Sequence, residues 1–138
     1  MATYLADKSA LTRSDTRPGV REVIEPLLLG GRIATCGIVD LELLYSARSR
    51  DTYSELAELL RAMPRAPVTD ATVNRALEVQ ALLASKAQHR SVPLPDLLVA
   101  ACAEAAGLTV LHYDADYERI AKLTGQAVQW VVPRGRVA

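Results

Sequence analysis

Phenylalanine is absent, and aromatic residues of any kind are few: one Trp and five Tyr among 138 residues. A core without aromatic mass must be built from Leu, Val, Ile and Ala. That suits a chain that is 50% apolar and long enough to bury a substantial core. Scarce aromatics also leave few platforms for stacking bases; Tyr45, Tyr113 and Tyr117 are the candidates. Cys36 and Cys102 are the only cysteines, and with two histidines they form no zinc-type spacing. Both cysteines sit in apolar surroundings (ATCGIV and VAACAEA), so buried free thiols are expected rather than a disulfide. Neither sign of charge dominates, since 16 basic and 16 acidic residues cancel. The chain as a whole therefore has no electrostatic claim on nucleic acid or an anionic membrane. The start, MATYLADKSA, has no basic segment followed by an apolar one, and no apolar run approaches bilayer length. These absences lead to the expectation of one soluble, cytoplasmic domain over residues 1–138, with no membrane partner.

What is present is alternation. TYLA reads as a strand, GVREVIEPLLLGG as a helix that Pro26 bends or shifts, and RIATCG as a second strand. IVDLELLYSARS and TYSELAELLRAM read as successive helices. RAPVTD reads as a third strand, with Thr69 or Asp70 as the cap of the next helix. ATVNRALEVQALLASKAQ carries a stripe of Val73, Ala76, Leu77, Gln80, Leu83 and Ala84. DLLVAACAEAAG is nearly all apolar and reads as a buried helix closed by Gly107. LTVLHYD is a strand, ADYERIAKLTG a helix and AVQWVV a last strand. Strands separated by helices predict a parallel sheet covered on both faces. Ligands of such sheets bind beyond the carboxyl ends of the strands.

Acids stand where that pattern least expects them. Asp7 ends the first strand and Asp114 ends TVLHY, with Asp116 two residues on. Glu42 interrupts an apolar helix, and Asp96 opens the buried one. Each has an ordinary reading. Asp7 can sit in a turn or cap a helix, Asp96 and Asp114 can cap theirs, Asp116 can be a first-turn acid, and Glu42 can lie on a solvated edge beside Asp40. Taken together, two acids at the ends of parallel strands face one crevice, and two more lie on helices that follow strands. Converging carboxylates repel and raise one another's pKa values. A hard divalent cation such as Mg²⁺ or Mn²⁺, which prefers oxygen ligands, removes that conflict. Acid clusters of this kind support phosphodiester hydrolysis.

YLADKSAL, CGIVDLELLYSARS, VPLPDLLVAACAEAAG and VLHYDADYERIA resemble, in order, the motifs of a PIN domain, and more narrowly those of VapC-type toxins of toxin–antitoxin pairs. The resemblance runs nearly end to end. It implies a three-layer α/β/α sandwich with a central, mainly parallel sheet of four to five strands. It implies a Mg²⁺- or Mn²⁺-dependent endoribonuclease acting on a tRNA, rRNA or mRNA. The family's acids fall on Asp7, Glu42, Asp96 and Asp114 as catalytic and metal-binding residues, and Asp116 matches a further, weaker ligand. Ser9 matches a small hydroxyl residue that would hold Asp7 or a metal-bound water. Two positions depart from the pattern: Lys8 follows the first Asp where a Thr or small residue is usual, and His112 stands two before the fourth acid where Thr is usual. Lys8 can contact a phosphate or point away, and His112 can contact RNA or pack under the site.

RNA binding needs positive charge near the crevice. Lys8, Arg13, Arg48, Arg90 and His112 are the candidates, with Arg17, Arg21, Arg50 and His89 in the same segments. The resemblance also implies a homodimer and a small antitoxin that blocks the site. The expected antitoxin dock is a groove offered by Leu41, Leu44, Tyr45, Leu56 and Leu59. Two alternatives remain at this point: a PIN nuclease of RNA maturation outside a toxin pair, and a receiver-like Mg²⁺-binding signalling domain. The second lacks a convincing acid at the end of a central strand, since Asp51 and Asp70 end none.

Overall fold

The computed structural model describes all residues, 1–138. Four strands, β1 (Tyr4–Ala6), β2 (Ile33–Ala34), β3 (Thr109–His112) and β4 (Val128–Trp130), alternate with seven helices. The helices are α1 (Lys8–Ser14), α2 (Pro18–Leu29), α3 (Gly37–Tyr45), α4 (Arg50–Arg61), α5 (Asp70–Ala84), α6 (Leu94–Ala105) and α7 (Asp116–Thr124). The strands pair in the order β2-β1-β3-β4, every pair parallel. The chain moves outward from β1 to β2, then returns past β1 to add β3 and β4 on the other side. The strand order therefore reverses between β1 and β3, and this is where an open parallel sheet leaves a crevice beyond its carboxyl edge. Asp7 leaves β1 on one side of it and Asp114 leaves β3 on the other.

The sheet is buried on both faces, and successive strand residues serve opposite layers. Leu5, Ala34 and Val110 join a cluster of 20 buried residues drawn largely from α3, α5, α6 and α7. Ala6, Ile33 and Leu111 join a second cluster of seven with Ala10, Val20 and Ile24 of α1 and α2. This is the expected α/β/α sandwich. Seven of the twelve residues of α6 are buried, which makes it the central helix of the larger layer. Cys36 and Cys102 are buried free thiols of that layer, as expected. Thr69 caps α5 through a reciprocal capping box with Thr72. Gly125 closes α7 with φ +72°, where only glycine sits without strain.

Two local expectations need correction, and one helix lies in a segment that the apolar pattern leaves unassigned. RAPVTD forms no strand: it meets β2 through a single parallel bridge, Thr35 to Arg65. Pro64 and Pro67 flank that bridge and cannot donate to a ladder. KSALTRS, which shows no sustained apolar period, is the helix α1, started by its cap rather than by its pattern. The buried stripe of α5 is Thr72, Ala76, Val79 and Leu83, whereas Val73 and Leu77 stay 40% and 57% exposed. The helix is rotated because it packs on α6 and α7, and its apolar residues outnumber those that this contact can cover.

Candidate active site

Asp7 is 1% exposed and fully engaged. It is the N-cap of α1: its Oδ2 accepts from the Ser9 amide at 3.0 Å, and its Oδ1 accepts from the Tyr117 hydroxyl at 2.8 Å. The ordinary capping reading and the site reading are thus both true of this residue. It is the Ser9 amide, not the hydroxyl, that holds Asp7. The Ser9 Oγ instead accepts from the Tyr113 amide at 2.9 Å, tying the end of β1 to the end of β3.

Asp96 occupies the first turn of α6, and its side chain makes no capping bond. It is 5% exposed, its Oδ1 lies 3.4 Å from the Tyr117 hydroxyl, and its Oδ2 has no partner. Ligand atoms of Asp96, Asp114 and Asp116 all lie within 4.8 Å of one another. Asp114 caps the first turn of α7 by accepting from the Asp116 amide at 2.9 Å. Burial, then the charges of Asp7 and Asp114 and the proximity of Asp116, push the Asp96 carboxyl up to about 8. Burial and Asp114 also raise Asp116, against a hydrogen bond shared with the Asp96 carboxyl and the pull of Arg119, whose Nη1 is 3.3 Å away.

Glu42 reaches the same crevice from α3. Its Oε2 is 3.0 Å from the Lys8 Nζ, while its Oε1 is buried without a partner. Lys8 therefore turns toward the acids rather than away. The bond to Glu42, aided by the fields of Glu42, Asp7 and Asp96, raises its pKa. Asp40, the neighbour of Glu42, is engaged elsewhere, by Thr35 and Arg65.

His112 is fully buried, so the expected RNA contact is withdrawn and the packed-strand reading holds. Its Nδ1 accepts from the Asp114 amide at 3.1 Å, which leaves the proton on Nε2, an atom with no partner. Burial lowers its pKa despite the acids nearby, so the ring stays neutral between Tyr117 and Trp130. Tyr117 is equally buried and cannot stack a base. Motif spacing does not mark its place in the site: it is the second residue of α7, and its hydroxyl reaches back to Asp7 and Asp96. Arg13 is tied to the Ser9 and Ala138 carbonyls and lies over the Tyr113 ring, 4.7 Å from its centre. Arg48 and Arg90 are exposed.

Three comparisons bear on this arrangement. The family profile described as PIN domain matches residues 4–123. Ribonuclease VapC21 of Mycobacterium tuberculosis is 48% identical over 133 residues, 96% of each chain. Ribonuclease VapC51 of the same organism is 46% identical over 134 residues, 97% of this chain and 96% of the other. Among solved structures, a DNA-bound VapBC from Salmonella typhimurium superposes with TM-score 0.76 over 96% of this chain and all of that one, at 18% identity, and so shares the fold. A member of the VapBC family of toxin-antitoxin systems, VapBC-5 from Mycobacterium tuberculosis, is 27% identical with TM-score 0.51, covering 72% and 80% of the two chains.

Proposed function

The chain belongs to the PIN domain family, and on that premise we propose that it is a metal-dependent endoribonuclease, the toxin of a VapC-type toxin–antitoxin pair. One observation carries the reading: the buried Asp96 Oδ2, without a partner, inside a cluster of carboxylates. A buried acceptor left open costs stability, and an all-oxygen set of acids is suited to a hard divalent cation, Mg²⁺ or Mn²⁺. Asp96, Asp114 and Asp116 would hold the ion, with Asp7 and Glu42 completing the set. When bound, such an ion activates water and offsets charge on the oxygens of a phosphodiester. The chain's own residues do the rest. The Ser9 amide and Tyr117 hydroxyl fix the Asp7 carboxylate. Tyr117 spans Asp7 and Asp96, setting the distance between two acids that would otherwise repel. Lys8 offsets the charge of Glu42 until a ligand arrives. The neutral His112 takes no proton and serves to position Asp114 through its amide.

The relatives named ribonucleases at 46–48% identity support the activity. The toxin-antitoxin description of the 27% identical neighbour supports an antitoxin partner. A groove of about 240 Å³ between α1–α2 and α3–α4 is lined by Leu11, Leu28, Leu43, Leu56, Leu59 and Met63. It suits an apolar helix better than the surface expected from sequence, because Leu41 and Tyr45 project into solvent at 69% and 91% exposure. A homodimer would use the apolar cleft between α5 and α6, where Val73, Leu77 and Leu94 are exposed. No helix is long and apolar enough to cross a membrane, and a cytoplasmic site of action fits an RNA substrate. The test is direct. Purified chain is incubated with total cellular RNA and Mg²⁺ or Mn²⁺, with and without chelator, beside Asp96→Asn. Divalent-dependent new RNA ends that Asp96→Asn fails to make support the reading. RNA left intact by the wild type sinks it.

A further inference from the structure

The basic residues singled out in the sequence do not include the strongest cationic feature of the molecule. A cleft of about 430 Å³ opens between the turn that joins α5 to α6 and the outer face of α7. Lys86, Arg119, Lys122 and Arg134 line it, against Glu118 as the single acid. In a chain of net charge zero this is a concentrated local excess. Three separate segments supply the cations, so no run of basic residues announces it.

The acid is already occupied. The Glu118 Oε1 accepts from the Trp130 Nε1–H at 2.7 Å, and its Oε2 lies 3.7 Å from the Arg134 guanidinium. Lys86 and Lys122 take part in none of the chain's ion pairs. Arg119 marks where the cleft leads. It bridges the Ser91 carbonyl and the Asp116 carboxylate, at 3.2 and 3.3 Å, and so joins the wall of the cleft to the acidic trio. Ala115, between Asp114 and Asp116, lies on the cleft floor.

We propose that this cleft is the track along which the RNA backbone reaches the acids, with Lys86 and Lys122 pairing with phosphates away from the cut and Arg119 at the threshold. This rests on the ribonuclease reading above. RNA fits better than an acidic peptide because Ala115, between Asp114 and Asp116, and Arg119, bonded to Asp116, set the carboxylates beside the cleft. Those repel Asp and Glu side chains, whereas a cation held there would draw a phosphate. The cations are Lys and Arg tips around an open cleft with no base-sized apolar pocket, so the contact is with backbone and carries little sequence preference.

The test uses a fluorescein-labelled 12-nucleotide single-stranded RNA and the full chain in an Asp96→Asn background, which keeps the RNA intact. Lys86→Glu with Lys122→Glu should weaken binding about 10- to 30-fold. The slope of log affinity against log salt should flatten by about 1.4, near 0.7 for each lost phosphate contact. Arg32→Glu with Arg61→Glu, two exposed cations outside the cleft, should change affinity less than twofold. In the otherwise wild-type chain the Lys pair should raise KM for RNA and leave Mn²⁺ affinity by calorimetry unchanged. Equal losses in both pairs, or none in the Lys pair, overturn the track. So does weakened binding of an acidic partner protein with RNA binding intact. A parent chain that neither binds nor cuts RNA fails the ribonuclease reading itself, which the Mn²⁺ titration and the cleavage assay show separately.

Discussion

Asp7 and Asp96 are buried to nearly the same degree, 1% and 5% exposed, and the fold treats them in opposite ways. Asp7 has a donor on each oxygen, one from a helix N-terminus and one from a buried phenol. Asp96 keeps one oxygen bare and faces other carboxylates. The corner made by β1 and α1 is therefore satisfied by folding alone. The corner made by α6, the end of β3 and α7 leaves a buried carboxylate oxygen without a partner from the chain. Burial of an acid does not by itself separate the two; the unsatisfied oxygen does, because it carries a cost that folding has left in place.

Asn substitutions would break the contrast most sharply. Asp96→Asn should lower RNA cleavage about a thousandfold or more and abolish calorimetric binding of Mn²⁺. It should also raise the melting temperature of the metal-free protein at pH 8 by roughly 5 °C, since about 1–2 kcal/mol of crowding is relieved. Asp7→Asn should also abolish activity but lower the melting temperature. An amide offers one acceptor oxygen where two donors converge, and a mismatched buried group costs about 1–3 kcal/mol. Melting temperatures that move in the same direction would erase the distinction.

Tyr117→Phe tests the group that joins the two corners. Removing the hydroxyl leaves one Asp7 oxygen bare and frees the spacing to Asp96. Mn²⁺ affinity should fall about tenfold, with a melting temperature lower by a few degrees. Unchanged affinity with lower stability would make Tyr117 a packing residue only.

The two corners should also differ in pH dependence. Asp96 titrates near 8 in the folded chain against about 4 in the unfolded one. Between those values the folded state holds the extra proton, so metal-free stability should fall as pH rises from about 4 to 8. Denaturant melts in chelator at pH 5 and pH 8 should differ by a few kcal/mol at most. The difference should shrink most in Asp96→Asn, leaving the part owed to Asp116, and less in Asp7→Asn, where burial still raises Asp96.

The smallest effect is expected at Lys8. Its ammonium is half exposed, so its pair with Glu42 contributes only about 0.5 kcal/mol to stability. Lys8→Met frees the Glu42 carboxylate and removes a like charge from beside the ion. Mn²⁺ should bind several-fold tighter, with the melting temperature little changed. Weaker Mn²⁺ binding would mean that Lys8 orders Glu42 for the metal instead of competing with it.

Much of this was legible along the chain. β1, β3, the buried helix α6 and the cap at Thr69 follow from apolar period, length and capping residues. The acids stood out because each breaks an apolar run. What escaped was of another kind. α1 has no apolar period to reveal it, because its first turn is set by Asp7. RAPVTD has strand-forming residues, but Pro67 within it and Pro64 just before it forbid a ladder. His112 and Tyr117 looked available to RNA because a polar side chain near a catalytic motif reads as exposed, yet both are sealed beneath it.

Apolar period and capping residues carry β1, β3, β4 and most of the helices, and they show which carboxylates interrupt those runs. Those signals depend on residues within a turn or two of one another, so a periodicity of two or 3.6 records them. Tertiary structure decided which acids meet, through a strand order that reverses between β1 and β3. It decided that Asp7 is satisfied and Asp96 is not, and that Lys86, Arg119, Lys122 and Arg134 share one cleft. Desolvation and the field of neighbouring charges are set by distance in space, and segments as far apart as Asp7 and Tyr117 become neighbours only when the sheet closes.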